Sequence, residues 1–445
     1  MKHVPLLPAL LLAGSVLAQV PQPLTLDQAI QTGLQNRTDL KNKRLDIRLA
    51  ENNLAKARDQ WLPKVELSND FRYNTQLQTT ILPPEFAAPG LPANPDGTRI
   101  RFGTTFNNLT AANLDQRLYS PTTRADGAIE RKNIQIEQES LRQTETEARL
   151  SIAEAYFNAQ LRREEARLNE RRAQRARELL DIAQGRFSLN NIQQDELDRT
   201  RVDYQNATVT ARKAQRAYQL GQQNLARVLF LPENQGAEPA DSLGATTEVL
   251  ADSAEVLGYV ANRSEVRQQQ LQGELTTLQD DRARLAALPT VSLYGNYTVQ
   301  YQSNDLNVFD GRAWSPFNYL GLRATFALLN RNDTKRTRQE YALRAEQAAN
   351  TLQNQRREVG YELQQAQTNL LDAAQNQGYV RDNLRLAEQV YGTSQERYRL
   401  GNLLYADLLD SQRSLQDAEA NYLTGLYEYL VARVRWERAK GEPAR

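Results

Sequence analysis

The chain has 445 residues, 55 Lys and Arg against 54 Asp and Glu for a net charge of +1, no Cys, and a single His at position 3. Balanced charge leaves no basic stripe to neutralise a phosphate backbone, which argues for no nucleic acid among its partners. With no Cys and the one His in a cleavable leader, thiol nucleophiles, imidazole bases and His/Cys zinc sites are excluded, so the sequence points to no enzyme, cofactor or metal.

Lys2, the apolar run Val4 to Val16 and the small-residue site Val16-Leu17-Ala18 read as a secretory signal peptide over residues 1–18. No other apolar run approaches the ~20 residues of a transmembrane helix, so any membrane crossing must use strands. The mature chain then repeats itself. Asn36-Arg37-Thr38-Asp39-Leu40 returns 226 positions later as Asn262-Arg263-Ser264-Glu265-Val266, and Leu62-Pro63 falls on Leu288-Pro289. Farther along the offset is 211, and Arg186-Phe187-Ser188-Leu189 lands on Arg397-Tyr398-Arg399-Leu400. Two copies of one structural unit are expected, over 19–232 and 251–445, joined by a linker at 233–250.

In repeat one, Thr38 to Trp61 has helical composition and Leu62-Pro63 stops it. A strand over about 63–75 places Val65, Leu67, Phe71 and Tyr73 on one side, against Lys64, Glu66, Ser68, Asp70 and Arg72 on the other. A Pro-rich stretch from Ile81 to Gly97 reads as a long loop. A second strand over about 98–119 carries Ile100, Phe102, Thr104, Phe106, Leu114 and Leu118 on one side. A long helix over about 124–187 and a helix over about 194–230 complete the repeat.

Repeat two has strands over about 289–302 and 317–329, a long helix over about 331–398 and a helix over about 405–437. In repeat one the shorter helices, Thr38 to Trp61 and Gln194 to Phe230, together match the long one in length to within a turn, so two placed end to end would flank it. Leu408, Leu415, Tyr422, Tyr429 and Trp436 recur every seven residues, as do Leu197, Tyr204, Ala211, Tyr218 and Leu225 at the same register. Heptads of this kind predict left-handed supercoiling of paired helices. The strand pattern fits a membrane barrel and also a soluble two-hairpin sheet.

Four strands cannot close a barrel, and an open sheet with an apolar face and free edges must be completed by further copies. The expected fold class is therefore mainly α with a membrane β portion. Its internally duplicated unit runs helix–strand–strand–long helix–helix.

The stretch RYRLGNLLYADLLDSQRSL, Arg397 to Leu415, resembles the second helical-tip signature of the TolC-like outer-membrane efflux proteins. RFSLNNIQQDELDRTRVDY, Arg186 to Tyr204, resembles the first, and the resemblance extends over nearly the whole mature chain. It implies a homotrimer forming a 12-stranded β-barrel in outer-membrane lipid, continued by a long α-helical barrel in the periplasm. It also implies an exit duct for drugs, ions or proteins, within a tripartite efflux pump or a type I secretion system. Loading would come from an inner-membrane transporter through a periplasmic adaptor (membrane fusion) protein.

The resemblance carries adaptor-docking tips onto Phe187, Leu189, Asn190 and Asn191, and onto Tyr398, Leu400, Gly401 and Asn402. It carries an acidic entrance or selectivity ring onto Asp407, Asp410 and Glu196, with Asp195 beside it. Asp407 and Asp410 are three apart and share a helix face, and rings of carboxylates favour cations. Acids in a first turn also complement the helix dipole, and that reading stands beside the ring. Asn190 occupies the place of the family's usual Gly, and Leu403 that of a basic residue in some relatives. No Cys follows the leader for acylation. A structural coiled-coil envelope rod or adhesin is the alternative, and the strand alternation near Trp61 and tyrosines argues against it.

Overall fold

The computed structural model describes residues 23–83, 98–232, 236–244, 256–326 and 331–441. The leader at 1–18, most of the Pro-rich stretch, parts of the linker and the end of the last strand of repeat two lie outside the described residues. In chain order the first repeat contains β1 (Pro23–Leu24), α1 (Leu26–Asn36), α2 (Thr38–Asp59), β2 (Lys64–Tyr73), β3 (Gln78–Leu82), β4 (Thr98–Phe102), β5 (Phe106–Tyr119), α3 (Pro121–Ser188) and α4 (Gln194–Val228). After β6 (Glu238–Pro239), the second contains α5 (Val256–Asn262), α6 (Ser264–Leu285), β7 (Thr290–Ser303), a 3-10 turn at Gly311–Ala313, β8 (Trp314–Thr325), α7 (Arg331–Arg399) and α8 (Tyr405–Lys440). No described helix is long and apolar enough to cross a membrane.

The compact units are not the sequence repeats. One gathers Met1–Arg44, Glu139–Gln268 and Leu352–Arg445, the other Leu45–Gln138 and Gln269–Thr351. Equivalent pieces of both repeats pack together because the two copies pair with each other rather than each folding on itself.

In the unit containing the strands, one antiparallel sheet has the order β2-β5-β7-β8. The join between repeats is β5 with β7, from Phe106 opposite Ser303 to Tyr119 opposite Val291, with the register shifting between Arg117 and Tyr119. That shift marks a β-bulge at Leu118. Where one strand was expected over 98–119 there are two. Gly103 has φ +109°, a conformation that favours glycine, and it separates β4, which pairs with β3 in its own two-stranded sheet, from β5 in the main sheet.

The paired registers put Val65, Leu67, Phe71 and Tyr73 on one face with Phe106, Ala112 and Leu114, Leu293, Tyr297, Val299 and Tyr301, and Trp314, Leu320 and Leu322. The opposite face carries Glu66, Asp70, Arg72, Asn113, Asp115, Arg117, Asn296, Gln300 and Arg323. The sequence alternation therefore sorts mainly into an apolar and a polar side, with Asn69, Asn108 and Asn318 interrupting the first and Leu109, Phe317 and Tyr319 the second. Charged pairs link the helices of this unit: Lys132 of α3 reaches Glu274 of α6 at 2.8 Å, and Arg338 of α7 reaches Asp280 of α6 at 3.1 Å.

The core of the other unit draws Ala29 and Ile30 from α1, Ile152, Tyr156 and Ala159 from α3, Leu225 from α4, Val359 and Leu363 from α7, and Tyr429 and Trp436 from α8. Thr25 and Gln28 cap α1 reciprocally, Gln28 N donating to Thr25 Oγ1 (3.3 Å) and Thr25 N to Gln28 Oε1 (3.0 Å). Gly33 lets α1 approach α3 closely, since a Cβ there would lie 2.5 Å from Ile152 Cδ1.

The repeated Asn-Arg-Thr/Ser-acid motif also gains a structural role. Arg37 Nε donates to Asp39 (3.0 Å) and its Nη1 to Ser151 Oγ (3.1 Å), while Arg263 Nε donates to Glu265 (3.1 Å) and its Nη1 to Ala439 O (2.9 Å). Burial pushes the Glu265 carboxyl up, and the bonds from Arg263 outweigh it, leaving the group below its ordinary range.

Candidate functional site

Both helical hairpins end in the same turn. At the end of α3, Asn191 N donates to Arg186 O (2.9 Å) and Asn190 N to Phe187 O (2.9 Å). At the end of α7, Asn402 N donates to Arg397 O (2.9 Å) and Gly401 N to Tyr398 O (3.0 Å). These are Schellman bonds, which satisfy the last carbonyls of a helix and require a left-handed residue. Gly401 supplies it with φ +80° and Asn190 with φ +56°, so the departure at Asn190 leaves the turn intact.

The turns expose Leu189 and Leu400 (71% and 63%), with Asn191 and Asn402 also exposed and Leu404 projecting just beyond. Phe187 is only partly exposed and packs with Leu180, Ala183 and Leu197. Tyr398 is fully buried in a cluster with Leu179, Tyr391, Tyr405, Leu408 and Leu415. It therefore corrects the expectation of a docking residue: the heptad turns its ring inward, where it supports the tip without presenting a surface. Leu403 packs against the same cluster.

The expected acidic residues fall at helix starts. Asp195 and Glu196 occupy the first turn of α4 and Asp407 that of α8, and neither helix has a side-chain N-cap bond. Asp195, Asp407 and Asp410 are exposed, Asp195 lying 3.8 Å from Arg199 and Asp410 3.5 Å from Arg413. Exposed pairs at these spacings contribute little. Glu196 is different, because it is half-buried and accepts a hydrogen bond from the Tyr398 hydroxyl at 2.9 Å.

A second tie lies one heptad deeper, where the Tyr405 hydroxyl donates to Asp203 Oδ2 at 2.5 Å. Burial, reinforced by Glu196, pushes the Tyr398 phenol up to about 12; burial, reinforced by Asp203, raises Tyr405 as well. The Arg186 guanidinium stacks 4.7 Å from the Tyr398 ring centre and donates to Tyr398 O. The hairpin of the first repeat is thus fastened to that of the second through Arg186, Glu196 and Asp203. Sequence reasoning missed Tyr405, Asp203 and Arg186, whose partners lie about two hundred positions away along the chain.

The 211 offset carries Tyr398 to Phe187 and Glu196 to Asp407. The counterpart of the first tie therefore lacks its donor, since Phe187 has no hydroxyl.

The sheet, in the other unit, presents a surface of its own. Val65, Leu67, Leu320 and Leu322 are all more than two-thirds exposed on its apolar face, a patch that water disfavours and lipid accepts. Tyr73 with Phe106 (5.2 Å) and Tyr301 with Trp314 (5.2 Å) gather aromatic rings at one end of this face, as at a membrane interface. Strands with a lipid-compatible face and a polar face, in a chain with long heptad-bearing helices and paired tips, define an outer-membrane channel subunit.

The chain belongs to the outer membrane efflux protein family, whose model matches residues 29–229 and 259–442. Members of this family are trimeric outer-membrane channels of tripartite efflux pumps, with a β-barrel continued by a periplasmic helical barrel. That is the function, location and fold class of this protein. Among solved structures, the chain is similar to the MtrE outer membrane channel of Neisseria gonorrhoeae in its open state (16% identity, TM-score 0.73, covering 94% of this chain and 89% of that one). It is also similar to VceC of Vibrio cholerae (14%, 0.72, 94% and 97%) and to the Campylobacter jejuni CmeC channel (17%, 0.71, 94% and 85%). No curated protein sequence matches it.

Proposed function

We propose that this protein is the passive exit duct of a tripartite machine, receiving cargo at its tips from a periplasmic adaptor that couples it to an inner-membrane transporter. The observation that carries this reading is the duplicated tip: two identical turns present Leu189 with Asn191 and Leu400 with Asn402 to solvent. Threefold symmetry makes six such knobs, a repeated apolar-polar surface suited to a ring of adaptor hairpins.

Asp407 and Asp410, exposed on one face of α8, become carboxylate rings in the same assembly and favour cations at the entrance. Two experiments test the two halves. Leu189→Asp with Leu400→Asp should abolish adaptor-dependent export while conductance in planar bilayers persists; unchanged export rejects docking at the turns. Asp407→Asn with Asp410→Asn should reduce cation selectivity measured as a reversal potential, and wild-type selectivity in that variant rejects the ring.

A further inference from the structure

Resting on the trimer reading, we infer that β8 of one copy pairs antiparallel with β2 of the next in one fixed register, with Arg323 opposite Asp70 on the polar face. β2 and β8 are the two outer strands of the sheet, each with one edge unpaired among the described residues. The duplication specifies how those edges meet.

Lys64 pairs with Asp115 and Thr290 with Thr325, so β2 maps onto β7 at an offset of 226 and β5 onto β8 at 210. The join of β5 with β7 brings the second strand of one repeat to the first strand of the other. Applying the offsets to that join turns it into β8 meeting the β2 of a second copy. Asn113 moves forward 210 to Arg323, and Asn296 moves back 226 to Asp70. In the chain Asn113 and Asn296 touch, Nδ2 of one donating to Oδ1 of the other at 2.7 Å.

A side-chain pair in contact within the chain thus becomes an oppositely charged pair between chains. Asp70 already has Arg72 at 2.5 Å, and Arg323 lies 4.4 Å from the Tyr294 ring, so both heads are held on the polar face. On the apolar face the same operation turns Ala112 opposite Tyr297 into Leu322 opposite Phe71, and Thr110 opposite Val299 into Leu320 opposite Tyr73. The rows Thr325 with Ser68 and Phe326 with Leu67 match in polarity as well, while Ala324 with Asn69 and Phe317 with Gln76 do not, and a shift by one residue would set Arg323 opposite Phe71 or Asn69 instead of Asp70.

The helices next to the sheet agree. The contact of Lys132 with Glu274 maps, at offsets of 211 and 226, onto Leu343 of one copy beside Arg48 of the next. Leu45 and Leu49 flank Arg48, and all three leucines are exposed in the lone chain (51%, 61% and 56% for Leu45, Leu49 and Leu343). An ion pair inside the chain is replaced by an apolar contact between chains, which accounts for leucines otherwise left in water.

The protein contains no Cys, so engineered pairs report directly. Residues 71 and 322 lie three strand spacings apart within one chain, about 14 Å sideways, and the registers set Phe71 level with Trp314, eight residues from Leu322, so they are too far apart for a disulfide. In full-length protein in membranes, Phe71→Cys with Leu322→Cys should oxidise to covalent trimers on a denaturing gel. Asn69→Cys or Tyr73→Cys with Leu322→Cys, each one pleat out of register, should link far less. Preferential linkage at 69 or 73, or no linkage in a protein whose native mass is trimeric, overturns the register. A monomeric native mass for the wild type overturns the trimer reading instead.

Independently, Asp70→Arg and Arg323→Asp should each lower the temperature at which detergent-solubilised trimers dissociate, and combining them should restore part of the loss. Additive losses overturn the ion pair, because a contact confined to Arg72 would not be rescued from β8.

Discussion

Removing a single oxygen tests whether the tips are held by side-chain chemistry or by backbone shape alone. The Tyr398 hydroxyl donates to Glu196 from a fully buried ring. A hydrogen bond to a charged acceptor contributes about 1.5–3 kcal/mol, and the half-exposed Glu196 recovers part of that from water, so Tyr398→Phe should cost about 1.5 kcal/mol. That is about tenfold in the local opening equilibrium.

Native-state hydrogen exchange at the amides of Asn191 and Asn402, which close the two turns, should accelerate by about that factor. Glu196→Ala should do the same, and the double variant should be little worse than either. Strict additivity would refute the tie.

The proton in this bond also gives a pH signature. Burial and Glu196 raise the Tyr398 phenol from 10.0 to about 12, so the neutral form is the stabilised one. Its contribution is complete below pH 10 and disappears as pH rises through 12. On a Tyr405→Phe background, which removes the second tie, ultraviolet titration should show a late-ionising group of tyrosines, with Tyr156, Tyr218 and Tyr391 also raised by burial, and Tyr398→Phe should remove one tyrosine from it. A titration unchanged by Tyr398→Phe would refute the assignment.

Glu419 is buried and bonded to both Arg172 and Arg175 at 2.8 Å, so Glu419→Ala takes the carboxylate from two arginines, Arg172 keeping its bond to Gln416 O, and should cost about 3 kcal/mol by urea denaturation. Gly33→Ala drives a methyl into Ile152 and should cost about 1–3 kcal/mol, read as a lower thermal midpoint. Asn190→Gly relieves the left-handed residue and should stabilise by about 0.5–1 kcal/mol, while Asn190→Val should cost about 1–2 kcal/mol, both by thermal melting.

The duplication and the strand faces were legible because both are periodic. An offset needs only two matching motifs, and a strand with one wet face writes itself as alternation. The segment over 98–119 misled because the alternation passes through Gly103 without a break, while the backbone turns there and changes sheets. The placement of Tyr398 misled for a different reason. A tip signature locates a turn, but only the packing of Leu179, Tyr391 and Leu408 around the ring decides that it faces inward. Contacts such as Tyr405 to Asp203 join residues 202 positions apart, and no local pattern ties them together.

The two repeats show which physical constraints survive duplication and which do not. The left-handed residue at the tip is kept in kind, Asn190 for Gly401, because the chain cannot reverse without it. The left-handed residue that follows the last helix of each repeat is kept as well, Phe230 after α4 for Gly441 after α8, and there Phe230 stacks with Arg37 while a Cβ at Gly441 would touch Arg263.

Polar contacts across the copies have instead diverged. Tyr398 faces Glu196 where the other copy has Phe187 and Asp407, and Asn113 meets Asn296 where the other copy has Arg323 and Asp70. Backbone geometry is set by sterics that admit few substitutes. A side-chain bond across a join can be exchanged for a charge, a ring or a leucine at a cost of one or two kcal/mol, roughly the size of a single such bond. Two copies of one unit can therefore keep a common frame while their joins differ in strength.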